Sequence, residues 1–211
     1  MFLSRLALNV NRRETMLALS NPQRLHAAVE GSFPPGQSAR TLWRIDRLGE
    51  DLYLLLCSQH KPDMSHMVEQ FGWPAADQQW QTRDYDAFLN NLAPGQTWQF
   101  RLRGNACKSH ATQGKRGVVR PLVTVPSQEE WLFERAQKNG FILEKGAFKV
   151  VHQEAMEFTK SAQTVSLRAV VFEGLLQVAD VDLLKTALTQ GIGRGKAYGC
   201  GLLTLAPVPA K

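Results

Sequence analysis

Twice along its length the chain runs through the same order of periodicities: a strand, a helix, two strands, a helix and a strand. That order is the ferredoxin-like split βαβ unit. Two units of about 100 residues each fill a chain of 211 residues. The predicted class is therefore α+β, with two tandem ferredoxin-like (RRM-like) βαββαβ domains over residues 1–95 and 96–211. No letter-for-letter repeat accompanies the repeated order, so the duplication rests on pattern alone.

In the first half, Phe2, Leu6 and Leu8 alternate with polar neighbours and predict a strand. Residues 12–19 read as a connection or a short helical turn. Asn21-Pro22 supplies an N-cap and a proline at the first helical position, ahead of Leu25, Ala28 and Val29 at helical spacing. Residues 40–47 and 52–58 predict a hairpin around Gly49-Glu50-Asp51, Ser65–Phe71 a short helix, and 72–94 irregular chain. In the second half, strands are expected at 97–103, 118–125, 141–143, 148–152, 154–159, 164–173, 175–178 and 202–205. One helix opens at Pro126-Ser127 and ends near Asn139-Gly140, and another is capped by Asp180.

Charge is distributed unevenly over this frame. Between Asp86 and Glu129 there is no acidic residue, yet the segment holds Arg101, Arg103, Lys108, Lys115, Arg116 and Arg120. Those six cations equal the whole net charge of +6, so the excess is a local patch on an otherwise neutral chain. A local patch of one sign points to a docking surface for a polyanion. Lys115-Arg116 sit between Gly114 and Gly117, as on a finger that fits a groove.

A second cationic feature is Gly191–Gly201, with five glycines and Arg194 and Lys196 among them. It is no Walker A loop, because Gln190 and Ala197 occupy required positions, and GxGxxG fails too. What remains is a tight helix-to-strand connection whose backbone around Gly193 and Gly195 suits a phosphate chain.

Other chemistries are excluded. The three cysteines form no CxxC pair, the five histidines no HxH or HExxH, and no GxSxG is present. No metal site and no cofactor is expected, and no stretch is apolar enough to span a membrane. A cytoplasmic protein with reduced thiols is the expectation. Among the histidines, His26 differs by lying near a helix start, where the dipole disfavours the imidazolium and suits a general base.

Several motifs together resemble the CasE family, the repeat-processing endoribonucleases of type I-E CRISPR Cascade complexes. They are MFLSRLALN at the start, Ser20-Asn21-Pro22 through Leu25-His26, Phe100-Arg101-Leu102-Arg103-Gly104-Asn105, Phe172-Glu173-Gly174, and the terminal GIGRGKAYGCGLLTLAP. The resemblance covers nearly the whole chain. It implies tandem ferredoxin-like domains that bind the hairpin of a CRISPR repeat RNA. It also implies one metal-independent cut at the 3′ base of the stem, with the product kept in Cascade beside its other subunits. The family's catalytic histidine maps onto His26. Relatives carry a tyrosine three residues earlier, where this chain has Gln23, a hydrogen-bond donor that cannot exchange a proton. Gln23 is equally placed, three residues after Ser20, to complete a capping box. The RNA contacts expected are Arg101, Arg103, Lys108, Lys115, Arg116, Lys160, Gly193, Arg194, Gly195 and Lys196. The alternative is a subunit that holds the RNA hairpin without cutting it.

Overall fold

The computed structural model describes residues 1–36, 40–112, 115–160 and 163–209, without the side chains of 110–112, 115–117, 160 and 163. The first half contains β1 (Phe2–Leu8), α1 (Arg13–Ser20), α2 (Pro22–Glu30), β2 (Leu42–Leu48), β3 (Asp51–Ser58), α3 (Ser65–Phe71), β4 (Trp80–Asp84) and a short α4 (Asp86–Leu89). Its sheet has the order β2-β3-β1-β4, with every neighbouring pair antiparallel. This is the ferredoxin-like arrangement.

The second half repeats it. β5 (Thr97–Gly104) leads to the hairpin β6 (Cys107–Thr112) and β7 (Lys115–Pro121), then α5 (Val125–Ala136), β8 (Phe141–Ile142), β9 (Phe148–Lys160), β10 (Gln163–Val178), α6 (Val181–Gln190) and β11 (Leu203–Ala206). The sheet order is β11-β5-β10-β8, and β9 also pairs with β10 along the β8 edge. The β6–β7 hairpin forms a separate two-stranded sheet inserted between β5 and α5.

Several local expectations change. Residues 13–20 are a full helix, because Thr15 and Ala18 bury one side of it. The 72–94 stretch holds β4, whose half-exposed Trp-Gln-Thr-Arg-Asp sequence carries no apolar alternation, and which pairs through its backbone with β1. The expected strand over 118–125 ends at Pro121, and Val125 already belongs to α5. The breaks expected near Gln153 and Gly174 are not ends of strands. A register shift between Val171 and Phe172 marks a bulge within the β9–β10 ladder, and Gly174 lets the backbone cross close by. A Cβ there would come within 2.3 Å of the Ala147 carbonyl oxygen.

Apolar side chains fill each unit on the helical side of its sheet. Leu6, Leu8, Leu54 and Leu56 meet Leu25, Val29, Met67 and Phe71 in the first. Phe100, Leu102, Phe172 and Leu176 meet Trp131, Leu132, Leu184 and Leu188 in the second. The two units are joined through β2, which is buried on both faces. Trp43 faces the first core, while Leu42 joins the second. On the same side as Leu42 sits Arg44, only 1% exposed. Its Nε and Nη2 donate to Asp46 Oδ1 and Oδ2 at 2.8 and 2.6 Å. Its Nη1 donates to the carbonyls of Arg101 (2.9 Å) and Leu202 (2.7 Å), and Nη2 reaches Thr204 Oγ1 at 2.8 Å. Burial pulls the Arg44 guanidinium below its ordinary value, and Asp46 pulls it back up.

Removing one member of this pair leaves the other charge buried and unpaired. Asp46→Asn is expected to lower the unfolding free energy by about 3–5 kcal/mol, read by chemical denaturation. A loss below about 1 kcal/mol, the scale of an exposed pair, would show that the ion pair does not hold the units together.

Candidate nucleic-acid interface

α2 starts where the sequence expects it. Asn21 caps it, with its side-chain oxygen accepting from Gln23 N at 3.1 Å, and Pro22 follows at the first position. The Ser20–Gln23 capping box does not form, because Ser20 Oγ donates to the Leu17 carbonyl at 3.1 Å. Gln23 is thereby freed for another role, and its Oε1 is buried with no hydrogen-bond partner. His26 lies one turn further on, half-buried, with Nδ1 4.0 Å from Glu30 Oε1. His66 is not a surface bystander: its Nε2 contacts the Ala28 carbonyl at 2.9 Å, bracing α2 from α3.

α2 also packs against β9 and the turn Lys196–Tyr198 of the glycine loop. A cleft of about 280 Å³ opens there between Pro22, Leu25, Trp43, Arg103, Glu154 and Tyr198. The helix carrying His26 and the Gly191–Gly201 loop, some 170 residues apart in the chain, therefore meet in space.

The glycines of that loop answer a packing demand. A Cβ on Gly199 would come within 2.7 Å of the Trp43 ring, and one on Gly191 within 2.7 Å of Leu42 Cδ2. Several of the N–H groups are used inside the fold. Ile192 N donates to Gly201 O at 2.9 Å, Tyr198 N to Gly195 O at 2.9 Å and Gly201 N to Arg103 O at 2.7 Å. Lys196 Nζ donates to the Gln190 carbonyl at 2.6 Å, and burial, with Arg40 nearby, lowers its pKa. Arg194 is exposed and bridges through its backbone to Asn105.

The acid-free segment divides in space into two groups. Arg101 and Arg103 meet acids from elsewhere in the chain. Arg101 pairs with Asp46 at 3.1 Å and Glu173 at 2.5 Å. Arg103 pairs with Glu154 at 2.9 Å and donates to the carbonyls of Tyr198 (3.0 Å) and Gly199 (3.1 Å). Both tie the second sheet to its neighbours. Lys108 and Arg120, in contrast, are exposed, stand directly opposite one another on β6 and β7, and among the described residues have no ion pair. Like charges opposite each other in a hairpin are mutually destabilising, which an anionic partner relieves. The side chains of Lys115, Arg116 and Lys160 lie outside the described residues.

Burial pushes the Cys57 thiol up to about 12 and that of Cys200 to about 11, which keeps both protonated and poor nucleophiles. Among the described residues no three His, Cys, Asp or Glu side chains are grouped to hold a metal ion. No described helix is long and apolar enough to cross a membrane.

Residues 1–207 match the family described as CRISPR associated protein. The chain belongs to that family. Within it, the chain is 31% identical to the CRISPR-associated endoribonuclease Cse3 of Thermus thermophilus, over 98% of this chain and 100% of that protein. It is 32% identical to the Cascade subunit CasE of Escherichia coli, over 56% of this chain and 61% of that one. The structure of Thermus thermophilus Cse3 bound to an RNA representing a pre-cleavage complex superposes with a TM-score of 0.80 at 28% identity, covering 98% of each chain. As a member of this family the chain is α+β with two ferredoxin-like domains, as its element order predicts.

The ion pairs separate stabilising cations from docking cations in a measurable way. Arg120→Ser should lower the salt at which the protein elutes from a heparin column and leave its melting temperature unchanged or higher. Arg101→Ser should do the reverse, lowering the melting temperature with little change in elution. Identical behaviour of the two variants would contradict the division.

Proposed function

We propose that this protein is a CRISPR RNA endoribonuclease that binds the hairpin of a repeat RNA, cuts once at the base of its stem and stays with the product in Cascade. The observation that carries the reading is the meeting of α2, with His26 and Gln23, and the cationic glycine loop in a chain that matches Cse3 from end to end. We place it in the cytoplasm, with the two domains dividing near residue 95.

In this reading the RNA's own 2′-hydroxyl is the nucleophile. Its oxygen bonds to the adjacent phosphorus, its proton passes to His26, and the P–O5′ bond breaks. The 5′-oxygen takes up a proton from the imidazolium or from solvent. The products are a 2′,3′-cyclic phosphate, or the 3′-phosphate from its opening, and a 5′-hydroxyl. Glu30 lies on the Nδ1 side of His26 and so favours Nε2 as the working nitrogen. Gln23 holds the scissile phosphate in place, its amide N–H donating to a phosphate oxygen. No step calls on a metal, because orienting the 2′-hydroxyl in line with the leaving oxygen supplies much of the rate.

Holding the RNA falls to other residues. Lys108, Lys115, Arg116 and Arg120 on the β6–β7 hairpin form a finger of cations suited to a stem, which is read by shape and phosphate positions. Lys160, Gly193, Arg194, Gly195 and Lys196 contribute beside the cut. Arg101 and Arg103, engaged in ion pairs, contribute through the positions they hold.

Single-turnover cleavage of the repeat RNA in EDTA tests this. Wild type should cut a ribose substrate and leave one with 2′-deoxyribose at the cut site intact. His26→Ala should bind both equally and cut neither, with a rate loss of at least about 10²-fold. Cleavage that survives His26→Ala would remove the histidine from the mechanism. Cleavage only with added metal would replace the mechanism altogether.

A further inference from the structure

We propose that a pocket enclosed by the base of the β6–β7 hairpin, α5 and the glycine loop is a subsite for one backbone phosphate of the bound RNA. The proposal rests on the RNA-binding reading above and adds residues that the sequence did not single out.

The pocket, about 150 Å³, is lined by Asn105, Ser109, Trp131, Arg135 and Arg194, with Cys107 at its side. No carboxylate lines it; Glu134, 3.8 Å from Arg135 Nη1, belongs to the neighbouring hollow. Trp131 is 3% exposed, yet its indole Nε1 has no hydrogen-bond partner. The ring cannot turn to find one. It is stacked on Phe172 at 5.9 Å, and side chains at Gly104 or Gly193 would come within 3.0 and 3.1 Å of its edge. The Arg135 guanidinium lies over the same ring at 4.2 Å from its centroid, with Nη1 donating to the Trp131 carbonyl at 2.9 Å. Arg135 is partly desolvated there, and burial lowers its pKa.

The lining thus includes two guanidinium groups, an amide and a hydroxyl, with the unpartnered indole N–H buried behind them. Such a set needs an occupant that only accepts hydrogen bonds and carries negative charge, and the two non-bridging oxygens of a phosphodiester meet both needs. The Ser109–Val119 pair at the pocket is the next rung of the hairpin after Lys108–Arg120, so the subsite lies on the reverse face of the finger, one residue from its cationic pair.

The test measures binding of the stem-loop repeat RNA from the host's CRISPR array. Arg194→Gln and Arg135→Gln should each weaken binding by about tenfold or more, the range for hydrogen bonds to charged groups, and each should reduce the slope of log affinity against log salt by about one unit. Single methylphosphonates placed along the RNA should then reveal one position whose neutralisation weakens wild type but costs Arg194→Gln nothing. Arg135→Gln also takes the cation off the Trp131 ring, so Arg194→Gln, an exposed position, carries the test if the Arg135 variant fails to fold. Methylphosphonate penalties equal in wild type and Arg194→Gln at every position would overturn the subsite, as would coupling to a base substitution in place of a phosphate. Failure of wild type to bind the hairpin at all would overturn the parent reading, and the subsite with it.

Discussion

The arrangement of both candidate sites depends on two charged side chains buried inside β2. Arg44 and Asp46 stand two residues apart, so both point out of the first sheet toward the second, where the guanidinium meets the carbonyls of Arg101 and Leu202. A guanidinium taken out of water needs its charge and its donors matched, and this one meets a bidentate carboxylate, two carbonyls and a hydroxyl. An apolar contact would tolerate sliding of one sheet over the other. A fork of directional hydrogen bonds does not. The orientation it fixes lays the glycine loop across Trp43 and Leu42, and so sets that loop beside α2.

The same contact recasts the charge pattern. Arg101 and Arg103 belong by sequence to the acid-free segment, but Asp46, Glu154 and Glu173 reach them from three other strands. Uncompensated charge among the described residues of the segment lies further out, on the hairpin. In the proposed reading, affinity and cutting are divided between separate parts: a finger whose like charges repel one another until a polyanion arrives, and the helix α2, which carries His26 and packs against the glycine loop. The division makes chemical sense for an enzyme that keeps its product, because the groups that hold the stem need not let go when the bond breaks.

Local signals were legible wherever a single residue decides the backbone. Asn21-Pro22 and Asp180 cap their helices as their chemistry requires, and the Gly49 turn joins β2 to β3. Doubled element order was enough for the fold. β4 was not legible, because an edge strand that is half-exposed on both faces has no reason to alternate. β9 and β10 read as fragments because one bulge shifts the phase of alternation by a residue, although the ladder continues. Arg44 was hidden for the opposite reason: charged residues in a strand read as solvent-facing, and burial of such a pair depends on acceptors some 60 and 160 residues away. His26 could be nominated from position and resemblance, but the packing of its helix against the glycine loop is a property of how the units dock.

What the free protein leaves unsatisfied tells most about what it is built to meet. A buried polar group without a partner costs about 1–3 kcal/mol, so a fold retains one where a ligand completes it or where packing forbids relief. Trp43 Nε1, Trp131 Nε1 and Gln23 Oε1 are such groups. The first two line hollows against the glycine loop, and the third is on the helix that packs against it. Glycine is what allows this closeness, since any side chain at Gly193 or Gly199 would strike an indole. The loop's glycines and the unpaired polar atoms are therefore two consequences of one design. Backbone is brought so near the aromatic rings that their N–H groups are shut away from solvent as well as from protein acceptors. A substitution at Gly199 would force Trp43 aside and with it the β2 strand that carries Arg44, so the cationic loop cannot be altered without loosening the joint that positions His26.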